Sequence, residues 1–170
     1  MSADPPDGLR PPASYDRDEM IALLTLAAHH DGACSMAAVH LLTYTALPGR
    51  ADFASHVDIQ VVRGAADADV LGARVRDWGA LLGDDSGVDL TGSDRKMLEI
   101  AASYAAGRPV DLSEHGQGLG TAHAQRLVEA VAIGAGIQEY LNIAEIRALW
   151  LGHTRGIPLE SRTSDPHPTG

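Results

Sequence analysis

Apolar side chains recur at helical spacing near the start of the chain, which predicts two helices there. Asp16 and Glu19 have the spacing of a capping box, so the first helix begins just after Asp16, and Gly32 ends it. The second helix starts near Ser35, a favourable N-cap residue, and ends before Pro48. Because the connection between the two helices is short, we expect them to pack as an antiparallel pair.

Two further helices are predicted in the second half of the chain. One is capped by Ser93 and stopped by Gly107, and the other is capped by Thr121 and broken or bent at Gly134. The pattern predicts that the latter helix buries four apolar side chains, Leu127, Val128, Val131 and Ile133. Residues 137–151 then form a fifth helix that is apolar on more than one side, so its own domain or a second copy must cover it.

The segment between the second and third helices fits two secondary structures. Residues 57–61 alternate between apolar and polar side chains, and residues 70–75 follow after a turn, which together predict a small β-hairpin. Apolar residues from position 71 to position 82 are also spaced by three or four, which favours one helix over residues 66–82. Because two glycines would each weaken that helix by about 1 kcal/mol, we favour the hairpin.

Neither end of the chain shows a periodic apolar pattern. Residues 1–14 are rich in proline and have too few large apolar side chains to offset the entropy of ordering. Glycine and proline likewise interrupt the sequence after about residue 153. The predicted fold is therefore mainly α, a single compact domain of four to five helices over residues 15–152 with a small β-hairpin between helices two and three. Disordered tails are expected at residues 1–14 and 153–170.

Composition and charge narrow the classes of partner. The chain has 13 basic and 23 acidic side chains and a formal net charge of -10, so we expect no nucleic-acid partner and no binding to an anionic membrane. The most apolar stretch, residues 127–137, is shorter than the ~20 residues that a membrane-spanning helix needs. A single cysteine, Cys34, rules out an internal disulfide. Because the first residues do not resemble a secretory leader either, we expect a cytoplasmic protein.

The eight histidines are the natural candidates for chemistry, because imidazole binds metals and exchanges protons near neutral pH. His29 and His30 are adjacent, so on a helix their side chains point about 100° apart and do not converge on one ion. No HExxH or Cys-x-x-Cys motif accompanies them. The sequence therefore predicts no metal site and no cofactor, and it assigns no catalytic residue.

Two local groups of residues are candidate binding sites. The first group is Arg50, Asp52 and Phe53, which brings a guanidinium, a carboxylate and an aromatic ring close together. This group either fixes the start of a helix or forms a small recognition surface. Glu114 and His115 form an acid–base pair in a glycine-rich loop before the fourth helix. For this second pair the structural alternative is a solvated helix entry.

Three stretches of sequence resemble a known group of proteins. They are Leu41-Leu42 followed by Arg50-Ala51-Asp52-Phe53, Ser93-Asp94-Arg95 through Ala101-Ala102-Ser103 to Gly107-Arg108-Pro109-Val110-Asp111-Leu112, and Gly118-Leu119 followed by residues 130–136. Over about residues 20–136 the chain resembles small, functionally uncharacterised actinobacterial helical proteins with an Arg-Asp-Phe element and an Ala-Ala-Ser…Gly-x-Pro-Val-x-Leu segment. The resemblance implies a shared fold and brings no activity, cofactor or catalytic residue.

The apolar fifth helix, the acidic exterior and the absence of a recognised catalytic motif favour a non-catalytic interaction or accessory protein. We expect it to present a helical surface to a protein partner or to itself, with self-association through residues 137–151. The alternative is a small enzyme or ligand-binding helical protein that brings His and Asp side chains together from different helices.

Overall fold

The computed structural model describes residues 9–63 and 69–137, and these residues form seven helices and a two-stranded antiparallel sheet. In chain order the elements are α1 (Arg17–Asp31), α2 (Ala33–Tyr44), α3 (Ala51–Ala54), β1 (Val57–Arg63), β2 (Asp69–Val75), α4 (Trp78–Leu82), α5 (Gly92–Ala106), α6 (Leu112–His115) and α7 (Thr121–Gly134). This mainly α fold with a small hairpin confirms the predicted fold class. The predicted fifth helix, apart from Ile137, lies outside the described residues, as does the predicted tail at residues 153–170.

Helix α2 is the centre of the fold, because α1, α5 and α7 all pack against it. The core between α2, α5 and α7 consists largely of small side chains together with a few long ones: Ala37, Ala38, Leu41, Met97, Ile100, Ala101 and Ala130. A second core lies among α1, the hairpin, α4 and one side of α5, around the fully buried ring of Phe53. Trp78 packs against both cores and so connects them.

The β-hairpin packs against α1 and confirms the favoured prediction for this segment. Its register begins with Val57 opposite Val75. A Cβ added at Gly72 of β2 would lie 3.1 Å from the Cβ of Ala27 on α1, so this glycine allows the strand and the helix to approach. The alternative, one helix over residues 66–82, is wrong because residues 69–75 are a strand.

Helix α1 begins with the predicted capping box. The Glu19 backbone N–H donates to Asp16 Oδ1 at 2.9 Å, and the Asp16 N–H donates to Glu19 Oε2 at 2.9 Å. The helix ends at Gly32, whose φ of 101° favours glycine. Helix α2 begins immediately afterwards at Ala33, so Ser35 lies inside α2 and is not its N-cap.

Thr91, and not the predicted Ser93, caps α5. The Asp94 backbone N–H donates to Thr91 Oγ1 at 3.1 Å, and Thr91 has the extended backbone of an N-cap. Thr91 and Ser93 both carry the hydroxyl that is favoured at an N-cap, so the sequence alone does not distinguish them. The conformation of the loop before α5 makes Thr91 the cap. The predicted stop at Gly107 is confirmed, with a φ of 64°.

The predicted burial of α7 is wrong for two of its four residues. Leu127 and Ile133 pack against the core, but Val128 is 53% exposed and Val131 is 42% exposed. Glu129, which lies between these two valines in the sequence, is only 4% exposed. Helix α7 is therefore rotated so that a carboxylate faces the bundle and two valines face away from it.

Part of the predicted N-terminal tail lies against the domain. Residues Pro12–Ser14 form a turn of 3-10 helix. The Arg10 guanidinium lies 4.2 Å from the Tyr15 ring centroid, and Arg10 Nη2 donates to Glu19 Oε1 at 2.7 Å. These contacts attach Arg10 to the start of α1.

Thr91→Ala removes the side-chain acceptor at the start of α5, and we expect it to lower the free energy of unfolding by about 1 kcal/mol. Ser93→Ala removes a hydroxyl that has no hydrogen-bond partner within residues 9–63 and 69–137, so a change below about 0.5 kcal/mol is expected. Urea denaturation followed by circular dichroism measures both values. A larger loss in Ser93→Ala than in Thr91→Ala would contradict the assignment of the cap.

Candidate functional site

The predicted group of Arg50, Asp52 and Phe53 is brought together, and it joins α3 to a distant loop. Arg50 Nε donates to Asp52 Oδ1 at 3.0 Å, and Arg50 Nη1 donates to the Asp89 carbonyl oxygen at 2.6 Å. The hydrogen bonds from Arg50 lower the pKa of the Asp52 carboxyl. Phe53 has no exposed surface, so its ring contributes to the core and is not available as a recognition surface.

Glu114 and His115 do not form a pair with each other. His115 Nδ1 lies 2.9 Å from the Asp111 carbonyl oxygen, and His115 Nε2 lies 2.7 Å from Oε2 of Glu99 on α5. Glu114 is exposed, and its carboxylate has no partner in the described part of the chain. His115 therefore ties α6 to α5, and the neighbouring acid that the sequence pointed to takes no part.

The other histidines of the described residues do not gather in one site. His29 is exposed, His30 Nδ1 lies 3.2 Å from Asp31 Oδ1, and His56 Nε2 lies 2.9 Å from the Ser86 carbonyl oxygen. Within the described ranges, no group of three or more His, Cys, Asp or Glu side chains is placed to hold a metal ion. His40 and His123 lie elsewhere, where α2 meets α7.

The contact between α2 and α7 buries a carboxylate in a polar cluster. Glu129 Oε2 lies 2.8 Å from His40 Nε2 and accepts a hydrogen bond from Arg126 Nη1 at 3.0 Å. The Arg126 guanidinium lies 4.9 Å from the Tyr44 ring centroid, and the His123 ring meets that ring edge-on at 5.2 Å between centroids. We call these five residues the α2–α7 cluster.

The α2–α7 cluster is suited to holding two helices in one arrangement. A carboxylate that leaves water needs hydrogen-bond donors, and His40 supplies one from α2 while Arg126 supplies another from α7. The bond to His40 holds Glu129 inward, and Val128 and Val131 then face outward. The cluster therefore explains why the apolar pattern of α7 mispredicted its buried side.

One signal for this cluster was present in the sequence. Arg126 and Glu129 are three residues apart, the spacing of an ion pair on one helix face, and they interrupt an otherwise apolar stretch. His40 lies 89 positions from Glu129 in the sequence, so spacing gives no indication that the two residues are in contact. A charged pair inside an apolar stripe of a helix therefore indicates a buried polar contact. The residue from another helix that completes this contact, here His40, is known only from the tertiary structure.

A cleft of about 380 Å³ lies between α1, α2 and β2. Its lining combines apolar side chains, Leu24, Val39 and Trp78 among them, with four charged residues, Asp31, Arg74, Arg76 and Asp77. The volume falls in the range of small-molecule sites. We call this space the hairpin cleft, and none of the candidate residues predicted from the sequence lines it.

Asp31 and Arg74 form a two-point ion pair at the hairpin cleft. Arg74 Nε and Nη2 each donate to one oxygen of the Asp31 carboxylate at 2.5 Å. These hydrogen bonds hold the pKa of the Asp31 carboxyl below its ordinary value, and a hydrogen bond with His30 acts in the same direction. The pair joins the end of α1 to β2 and so helps to hold the hairpin in place.

Comparison with known proteins gives no family for this chain. No protein-family model, curated protein or solved structure matches it. Among the described residues, none of the helices has both the length and the apolar character needed to cross a bilayer.

Glu129→Ala removes the acceptor shared by His40 and Arg126, and we expect it to lower the free energy of unfolding by about 1–3 kcal/mol. Glu114→Ala is the matched control, because it deletes an exposed carboxylate without a partner in the described residues and is expected to change stability by less than about 0.5 kcal/mol. Both are measured by urea denaturation. Equal effects of the two substitutions would show that the buried hydrogen bonds do not stabilise the fold.

Asp31→Asn should weaken the dependence of stability on pH. The pKa of Asp31 is lowered in the folded state, so the ion pair stabilises the fold above the unfolded-state pKa, and this contribution is lost as pH falls through the folded-state pKa. At neutral pH we expect a loss of about 1 kcal/mol or less, because both side chains are partly exposed.

Urea denaturation at neutral and acidic pH measures this effect. Asp84→Asn is the control, since Asp84 is exposed and has no ion-pair partner within the described residues. If Asp31→Asn and Asp84→Asn lose the same stability between the two pH values, the ion pair with Arg74 contributes nothing.

Proposed function

We propose that the protein is a non-catalytic interaction protein of the cytoplasm that pairs with a second copy of itself through α7 and residues 137–151. The observation behind this proposal is an exposed, apolar and uncharged surface on α7. Exposed apolar surface of this kind is typical of a protein-interaction site.

The outer face of α7 is formed by Ala124, Val128, Val131 and Ala135. These residues follow one another at spacings of four, three and four, so they lie in one row along the helix and its last turn. All four are exposed. The spacing is that of the seam between two packed helices, and the two alanines allow a second helix to approach closely.

The outer face of α7 carries no charge. The exposed residues between positions 121 and 137 are Thr121, Ala122, Ala124, Val128, Val131, Ala135, Gly136 and Ile137. The two charged side chains of α7, Arg126 and Glu129, bind each other. Depletion of charge is a property of the buried centres of protein interfaces.

The absence of charge favours a second copy of this chain as the partner. With a net charge of -10, most other surfaces would place acidic side chains opposite acidic side chains when two copies meet. A two-fold symmetric contact sets the same patch of both copies against itself, so it is least costly where the patch is uncharged. The outer face of α7 satisfies this condition.

Residues 137–151 continue this apolar surface in the sequence. Ile137 follows α7 directly and is 41% exposed, and the next residues are apolar at helical spacing. Two copies that pair through α7 bring these segments near each other, so each copy supplies the cover that an apolar segment needs.

The alternative function, an enzyme or ligand-binding protein built from His and Asp side chains of different helices, has one supporting observation. His40 and Glu129 meet across two helices. However, Glu129 is already bound by Arg126, and neither His40 nor Glu129 lines the hairpin cleft. The α2–α7 cluster therefore supports a structural role better than an acid–base role.

The pairing is tested by light scattering during size-exclusion chromatography of the full chain. We expect the wild-type protein to be a dimer and the double variant Val128→Glu with Val131→Glu to be a monomer, because the variant puts four carboxylates into one symmetric contact. The side chains are exposed, so the circular dichroism spectrum should not change.

Leu26→Glu is the matched control for this experiment. Leu26 is 43% exposed on α1, close to the 42% of Val131, and it lies outside the outer face of α7. The control variant should remain a dimer. A monomeric wild-type protein, or a folded double variant that remains a dimer, would refute the proposed pairing.

A further inference from the structure

The hairpin cleft combines an apolar space with unused hydrogen-bond donors. We propose that it binds a small aromatic carboxylate. The inference does not depend on the pairing through α7, because no residue of α7 lines the cleft.

The apolar part of the cleft exists because small side chains line it. Ala28, Ala38 and Ala73 fill little volume, so space remains where α1, α2 and β2 meet. Trp78 lines the same space and packs against both cores, which holds its indole in place. A preformed space of about 380 Å³ beside a fixed indole suits an aromatic ring, since aromatic pairs gain stability beyond simple burial.

The polar part of the cleft offers donors more than acceptors. Both oxygens of Asp31 accept hydrogen bonds from Arg74, and Oδ1 of Asp77 accepts two from backbone N–H groups of α4. Arg74 uses its Nε and Nη2 on Asp31, and Arg76 uses the same two groups on Asp58. Within residues 9–63 and 69–137, the Nη1 group of neither arginine has an acceptor.

The two arginines are placed to act on one ligand. Arg74 lies in β2 and Arg76 directly follows the last residue of that strand, and both residues line the cleft. A carboxylate has two acceptor oxygens, which matches two guanidinium N–H donors. Ser35 of α2, whose side chain carries a hydroxyl, also lines the cleft.

The charge balance of the cleft disfavours a ligand with more than one negative charge, because the two arginines of the lining are matched by the carboxylates of Asp31 and Asp77. Each arginine already faces an aspartate, so a doubly charged phosphate would meet these carboxylates without enough free positive charge to offset them. A monocarboxylate brings a single charge, and its apolar ring occupies the space beside Trp78. The volume of the cleft also suits a small molecule better than a protein segment.

Binding is tested with phenylacetate as the probe and phenylacetamide as its uncharged counterpart. The chain has two tryptophans, so the variant Trp150→Phe leaves Trp78 as the only tryptophan reporter. We expect phenylacetate to change the Trp78 emission in a saturable manner and to bind at least about tenfold more tightly than phenylacetamide. Arg76→Gln should remove most of this difference while the protein stays folded, because the Arg76 side chain is 58% exposed.

Two phenylalanine variants locate the bound probe. Ala106→Phe fills the cleft from an exposed position and should abolish binding, whereas Ala22→Phe is exposed on α1 outside the cleft and should leave it unchanged. Equal affinity for phenylacetate and phenylacetamide would overturn the proposal. So would the absence of saturable phenylacetate binding, or undiminished binding in a folded Ala106→Phe protein.

Discussion

Burial of the Glu129 carboxylate is the constraint on which the helical part of the structure depends. The charge is stable between α2 and α7 only if donors reach it, and His40 and Arg126 both do so. Once the bond to His40 forms, α7 has a single rotation about its axis. Val128 and Val131 then point away from the bundle. A polar requirement inside the protein thus produces the apolar surface outside it.

Small side chains at the centre of the fold have two opposite effects. Towards α5 and α7, the alanines of α2 let the helices approach and form a dense core. Towards the hairpin, Ala38 lines the cleft together with Ala28 of α1 and Ala73 of β2, and these small side chains leave space there. Trp78 connects the two regions because it contacts both cores and the cleft. Small side chains therefore allow close helix packing on one side of α2 and leave a cleft on the other side.

Local sequence signals predicted several features correctly, although the N-caps expected at Ser35, Ser93 and Thr121 are wrong, and contacts between distant residues were missed. The capping box of α1, the stop at Gly107 and the alternation of the hairpin all depend on neighbouring residues, and the structure confirms them. The pairing of Arg50 with Asp52 is local as well. By contrast, His115 binds Glu99 and His40 binds Glu129, and a single sequence contains no rule that joins residues so far apart. The resemblance to small actinobacterial helical proteins stays a prediction.

The hairpin places two strands beside α1, and each strand has a backbone edge without a neighbouring strand in the described residues. Such edges invite strands from other molecules and lead to aggregation. Here Pro11 and Pro12 lie beside the first residues of β1, and proline has no N–H with which to extend a sheet. Exposed charged side chains on both strands, Asp58 and Asp69 among them, oppose the same event. Intermolecular β-pairing through the hairpin is thus discouraged.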